Sequence, residues 1–313
     1  MNNTHRRLTA ALFLTILASG AGVRAQTKAP DPAASPEYGP ARGTLVIIGG
    51  NMQDASGLAQ TFIALGGGPA KKFVIVPTNG GNKNADGSLK TYEAEKVLAE
   101  WKKRGLRNVV MLHTADPKVA DTEEFVKPLL DASGVWFDGG RQWNMVDAYM
   151  NTRTLIELRK VLDRGGVIAG SSAGATIQGD YLVRGDTSGP DLMMTQEPNH
   201  QHGFAFLHHS AIDQHINSRM RWDDLIPVIK KHPDLLGIGL SEDTGIIVTG
   251  DTFEVMGRFK VAVHDSTRAF EPWEKPYFVL SHGDVYNMKT RVVVKYGNGT
   301  PPPRPGAVNP GDR

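Results

Sequence analysis

One short run of the 313-residue chain carries the residue types of nucleophilic catalysis: Gly170-Ser171-Ser172-Ala173-Gly174-Ala175. It fits the pattern G-x-S-x-G, directly after the apolar Val167-Ile168-Ala169 and before helix-compatible sequence. A strand, a sharp turn and a helix in that order expose the hydroxyl of the central serine. Small neighbours are required because the turn is crowded. The following helix brings its amino end beside the reacting centre, where negative charge is favoured. Ser171 lies off the centre of the turn, so Ser172 is the candidate nucleophile. The competing reading is a glycine-rich turn with an incidental serine, which so short a motif does not exclude.

A serine hydroxyl needs a base, and the base needs an orienting acid. Downstream stand His200, His202, His208, His209, His215, His232, His264 and His282. His215 is singled out by Ile212-Asp213-Gln214-His215, where polar residues interrupt a strand-like run from Phe204. Farther on, Gly237-Ile238-Gly239-Leu240-Ser241-Glu242-Asp243 reads as a strand ending in two carboxylates, either of which could be a solvated strand end. A different order, serine then acid then histidine, is available in Asp251 and His282 and would belong to an α/β-hydrolase esterase. Four strands ahead of the elbow strand and no lipase-type oxyanion motif stand against it. The histidines at 200, 202, 208 and 209 are of a type that ligates metal, but no H-E-x-x-H pattern accompanies them, and the stretch reads as a loop. A non-catalytic binding protein on the same fold is the third alternative.

The elements that position these residues follow from alternation of short apolar runs with helical stretches. Strands are predicted at Leu45–Ile48, Phe73–Val76, Val109–Leu112, Val135–Phe137 and Val167–Ala169. Helices are predicted over Ala55–Leu65, Tyr92–Arg104, Thr122–Leu130 and Thr154–Leu162. Such alternation implies an α/β fold, a doubly wound, mainly parallel sheet with helices on both faces. Ligands bind at the carboxyl ends of strands in such sheets, so the loops at Gly49-Gly50, Gly139-Gly140 and Gly170–Ser172 share the functional edge. A hairpin through Gly250-Asp251, then strands at Phe278–Leu280 and Val292–Val294, are expected to extend the sheet.

Composition narrows the function classes. A formal charge of +2 with scattered Lys and Arg gives no reason to expect nucleic acid as a partner. The chain contains no cysteine, which excludes disulfides, cysteine nucleophiles and thiolate metal sites. His5-Arg6-Arg7, the apolar run Leu8 to Ala21 and Val23-Arg24-Ala25 predict a signal peptide over residues 1–25, with export to the periplasm or the medium and no membrane span after cleavage; the rival reading is an uncleaved N-terminal anchor. Residues 26–42 read as a Pro/Ala-rich linker, 43–296 as one α/β catalytic domain and 297–313 as a disordered tail.

The elbow, the Asp-Gln-His segment and Gly-Ile-Gly-Leu-Ser-Glu-Asp-Thr resemble, in order and spacing from about Leu45 to Val248, those of cyanophycinases and related serine dipeptidases. The resemblance implies a type 1 glutamine amidotransferase-like fold with its nucleophile elbow after a central strand, and a triad of Ser172, His215 and Glu242. It implies an oxyanion hole formed by the amides of Gly140 and Ala173, the former from a loop that matches the family's Gly-Gly-Asp-Gln. Gln142, Asp213, Gln214, Arg219 and Arg221 match polar substrate-binding positions. No metal or organic cofactor is called for. The implied partner is a peptide substrate, cyanophycin or an aspartyl peptide, and a homodimer follows by analogy. Two positions depart from the pattern: Arg141 replaces an acid in the loop, and Asp224 stands where a third arginine is expected. Both alter the charge of a pocket built for carboxylate and guanidinium groups.

Overall fold

The computed structural model describes residues 35–185 and 193–298. Its centre is set by short runs of apolar residues buried on both faces. In β1 (Thr44–Ile48), Leu45 and Ile47 join one core and Val46 and Ile48 the other, as the two-residue period of a strand requires. The same holds in β2 (Lys72–Val76), β4 (Gly134–Phe137) and β5 (Val167–Ser171), whereas β3 (Asn108–Met111) is more exposed at the edge. These five strands pair in parallel in the order β1-β5-β4-β2-β3.

Helices cover both faces. On one, Phe62 of α1 (Leu58–Leu65) and Trp101 of α2 (Ala94–Lys103) pack on Phe73 and Trp136, with the Trp101 and Trp136 ring centroids 4.7 Å apart. Each such fully buried side chain contributes roughly 1.5–3 kcal/mol. After the short α3 (Pro117–Ala120), the stretch predicted as one helix over 122–130 is broken into α4 (Glu123–Val126) and a 3-10 turn at Lys127–Leu129, where Pro128 lacks the amide hydrogen that would continue the helix. The other face is covered by α5 (Trp143–Tyr149), absent from the sequence reading, and α6 (Arg153–Asp163). The four-residue α7 (Ala173–Thr176) follows the elbow.

In the second half, β6 (Ser210–Gln214) leads through α8 (Ile226–Lys231) to β7 (Leu236–Leu240). Then follow β8 (Thr244–Thr249), β9 (Thr252–Gly257), β10 (Val261–Asp265), β11 (Phe278–Leu280), β12 (Val285–Asn287) and β13 (Val292–Lys295). As expected, β8 and β9 form a hairpin, and β8, β9, β12 and β13 extend the main sheet to nine strands through antiparallel pairs. The expectation fails for Phe278–Leu280, because β11 joins a separate four-stranded sheet of order β11-β10-β7-β6. Both edges of β1 are filled, by β5 and β8, so β6 and β7 must pair with each other and with β10.

Of the segment read as linker, the described part is packed: Tyr38 is 3% exposed, and Asp251 Oδ1 accepts from the amides of Glu37 and Tyr38 at 2.7 and 2.9 Å. At the other end the Gly297 amide donates to Asp284 Oδ1 at 2.8 Å. The signal-peptide reading of residues 1–25, the first part of the linker and residues 299–313 of the tail lie outside the described residues. No helix among the described residues is long and apolar enough to cross a membrane.

Candidate active site

Ser172 occupies φ 58, ψ −120, a conformation that L residues rarely adopt and that costs on the order of 1–3 kcal/mol. Its surroundings hold it there. Its amide donates to Ile48 O at 3.0 Å, and its carbonyl accepts from the amides of Ala175 and Thr176 as α7 begins. The two glycines of the motif are steric requirements: a Cβ at Gly170 would lie 2.2 Å from Gly174 O, and one at Gly174 would lie 2.2 Å from Phe137 O. Ala173, at the first position of α7, has no preceding helical turn to take its amide hydrogen.

His215 directly follows β6 with φ 57, and its amide donates to Gly49 O at 2.9 Å, which ties the second sheet to the carboxyl end of β1. The ring lies directly on Gly50, where an added Cβ would stand 2.1 Å from Cε1. Nε2 of His215 is 2.9 Å from Ser172 Oγ, and Nδ1 is 2.7 Å from Glu242 Oε1. A carboxylate only accepts, so Nδ1 carries the hydrogen and donates to Glu242. That tautomer leaves Nε2 free to accept from the Ser172 hydroxyl.

Glu242 follows β7 and is held from three sides. Oε1 also accepts from Ser218 Oγ at 2.8 Å, Oε2 accepts from Asn51 Nδ2 at 3.0 Å, and the Glu242 amide donates to Asn217 Oδ1 at 2.8 Å. Burial works to raise its pKa, but the hydrogen bonds from Ser218, His215 and Asn51 outweigh it, and the carboxyl titrates below its ordinary value. For His215 burial dominates and lowers the pKa, the Glu242 hydrogen bond opposes it, and the charge of Arg219 adds to the lowering. The imidazole is therefore neutral at pH 7 and able to take a proton.

The remaining predicted residues are placed as follows. Gly139 abuts Ser172, since a Cβ there would be 3.6 Å from Ser172 Oγ, and Gly140 lies against Asn79 O, to which the Arg141 amide donates at 2.7 Å. Gln142 is 2% exposed, and its Nε2 donates to Val183 O at 2.5 Å and Arg184 O at 2.6 Å, so it fastens two loops together. Arg221 is buried between Asp213 and Asp224: Nη2 donates to Asp213 Oδ1, and Nε donates to Asp224 Oδ2 at 2.8 Å. Burial raises the Asp213 carboxyl against the pull of Arg221. Asp224, the departure noted in the sequence, therefore consumes charge on Arg221. Gln214 is buried at the end of β6, and Arg219 is exposed.

The alternative constellations do not assemble. Asp251 is occupied by the Glu37 and Tyr38 amides, and His282 Nδ1 accepts from Gly257 N. Among the described residues no three His, Asp or Glu side chains converge as a metal site, and His200 pairs with Asp147 at 2.7 Å. Sequence reasoning missed Asn51, Asn217 and Ser218. Asn51 had one signal, its position after Gly49-Gly50 on the functional edge.

Comparison with known proteins agrees with the fold. The profile of peptidase family S51 matches residues 45–256. A cyanophycinase of Synechococcus elongatus is 28% identical over 271 residues, covering 80% of this chain and 81% of the relative. A cyanophycinase of Geminocystis herdmanii is 24% identical, covering 80% and 95%. The crystal structure of a peptidase from an acI-B1 actinobacterium shares the fold with a TM-score of 0.57 at 22% identity, covering 79% of this chain and 97% of that one. The chain belongs to peptidase family S51, among its cyanophycinase-like members, and is a serine-type peptidase.

Proposed function

We propose that this chain hydrolyses peptide or β-aspartyl-type amide bonds through a covalent acyl-enzyme, with Ser172 as nucleophile, His215 as general base and Glu242 as the orienting acid. The observation that carries the reading is the unbroken relay from Ser172 Oγ to His215 Nε2 at 2.9 Å and from His215 Nδ1 to Glu242 Oε1 at 2.7 Å. Ser172 Oγ attacks the carbonyl carbon while its proton passes to Nε2. The amides of Gly140 and Ala173 are assigned to the oxyanion that forms. The imidazolium then donates its proton to the leaving amine as the C–N bond breaks, giving a Ser172 ester. Water attacks that ester with His215 again as base, releasing a carboxylic acid and restoring the hydroxyl.

The cyanophycinase relatives favour an aspartyl-peptide substrate, while Arg141 and the Asp224–Arg221 pair argue that its flanking groups differ from those of cyanophycin. The first 25 residues support export of the protein before it acts. A fluorophosphonate probe tests the chemistry: it should label Ser172 in the native protein and nothing in Ser172→Ala, while chelators leave turnover unchanged. Labelling of another serine, or turnover that survives Ser172→Ala and disappears with chelator, would sink this mechanism. Amino-terminal sequencing of secreted material should begin near Gln26, and an intact Met1 would overturn the export reading.

A further inference from the structure

Two arginines at the mouth of the site carry no carboxylate partner among the described residues, unlike the buried Arg221. Arg141 directly follows the Gly139-Gly140 loop and is exposed, with its guanidinium carbon 5.7 Å from the centre of the Trp143 ring. Arg184, also exposed, places its guanidinium carbon 5.1 Å from the same ring. Gln142, between Arg141 and Trp143 in the chain, donates to the carbonyl of Arg184, so the two loops are fastened at this point. Gly139 lies against the nucleophile, and two residues of chain span at most about 7 Å, so Arg141 is anchored close to the reacting hydroxyl. Two described acids of this region are already engaged: Asp138 Oδ1 accepts from Trp136 Nε1 at 2.7 Å, and Asp147 holds His200.

We infer that Arg141 and Arg184, braced on Trp143, form a clamp for a carboxylate of the peptide substrate. A guanidinium presents a planar fork of donors that matches a carboxylate in two parallel hydrogen bonds. Contact with the indole orders the long side chains before the substrate arrives, which reduces the entropy lost on binding. An arginine side chain of the substrate would meet like charge at this place. The carboxylate is either an acidic side chain or the free carboxyl terminus, and both have the same chemistry at the clamp.

This inference rests on Ser172 marking the peptide-binding site, and a binding series separates the two. In a Ser172→Ala background, calorimetry measures the affinity of matched short peptides: free acid against carboxyl-terminal amide, and Asp against Asn at each position. The acid that matters should bind on the order of tenfold more tightly than its neutral partner, and added salt should shrink the gap. Arg141→Glu and Arg184→Glu should each erase that preference, and the double variant should reverse it in favour of peptides carrying arginine. Loss of discrimination on amidation locates the carboxyl terminus, and loss on the Asp-to-Asn change locates a side chain. Equal affinities across the panel with and without the arginines, or no binding of any peptide, would overturn the clamp. Failure of the catalytic reading would show separately, as hydrolysis by the native chain that does not depend on Ser172.

Discussion

At His215 two effects compete over one proton. Burial and the nearby Arg219 favour the neutral ring, while the Glu242 hydrogen bond favours the imidazolium; burial prevails, and the pKa falls below the ordinary 6.5. As the proposed base, His215 must be neutral to accept the Ser172 proton, so activity should be lost as pH falls through the folded value. The acid limb of kcat/KM should therefore have its midpoint below 6.5, and Arg219→Gln, which removes a positive charge, should move it upward. A limb at or above 6.5 in the native enzyme, or one unmoved by Arg219→Gln, would contradict this balance. The same relay fixes the mutational ranking. His215→Ala should cost about 10⁵- to 10⁶-fold in kcat, and Glu242→Gln about 10³- to 10⁴-fold, because the histidine takes part in proton transfer and the acid only orients it. His282→Ala should leave kcat near the native value, since His282 contacts Gly257 and not Ser172. Steady-state kinetics with folding checked by circular dichroism decides the order, and an active His215→Ala enzyme would refute the assignment.

The elements matter because the proposed nucleophile and its partners stand on different sheets. Ser172 follows β5 of the nine-stranded sheet, while His215 and Glu242 follow β6 and β7 of the four-stranded one. The turn after β1 joins them: Gly49 O accepts from the His215 amide, Gly50 O accepts from the Asp243 amide, and Asn51 reaches Glu242. Gly50 also has φ 130 and no space for a Cβ beneath the imidazole. Gly50→Ala should therefore displace the ring and lower kcat about a hundredfold, the cost of misplacing a catalytic group by roughly 1 Å. Native-like kcat in that variant would show that the ring does not depend on this seat. The elbow was legible in the sequence because its glycines, its serine and the preceding apolar run are contiguous. His215 and Glu242 were legible as polar residues at strand ends, and the family pattern separated them from their neighbours. Asn51, Asn217 and Ser218 were not, because their function arises where loops from two sheets meet, which no local period encodes. The helix α5 was missed for a related reason: seven residues that follow a loop are too few to display a repeating face, although Met145, Val146, Ala148 and Tyr149 are all buried.

Over the whole molecule, the segment ahead of β1 does more than connect. Tyr38 and its neighbours reach the β8–β9 turn through the bonds to Asp251 and the Gly39 amide to Gly250 O at 3.0 Å. The Tyr38 hydroxyl accepts from Arg291 Nη2 at 2.7 Å, and Arg291 Nη1 in turn donates to Asp265 Oδ1 at 3.2 Å. Asp265 ends β10 of the small sheet and Arg291 precedes β13 of the large one, so one buried tyrosine links both. Composition hid this, because the surrounding Pro and Ala residues read as linker and a single aromatic residue carries no periodicity. Removing the side chain should create a cavity at a joint between sheets while leaving the catalytic relay untouched. Tyr38→Ala should destabilise by about 3–5 kcal/mol, which for a domain of this size lowers Tm by roughly 6–20 °C. Tyr38→Phe keeps the ring and loses one hydrogen bond, so its cost should be nearer 1 kcal/mol. Calorimetry should rank native, Tyr38→Phe and Tyr38→Ala in that order, with kcat at 25 °C equal in all three. A fall in kcat without a fall in Tm would mean that the strap acts on the alignment of His215 with Ser172 rather than on stability.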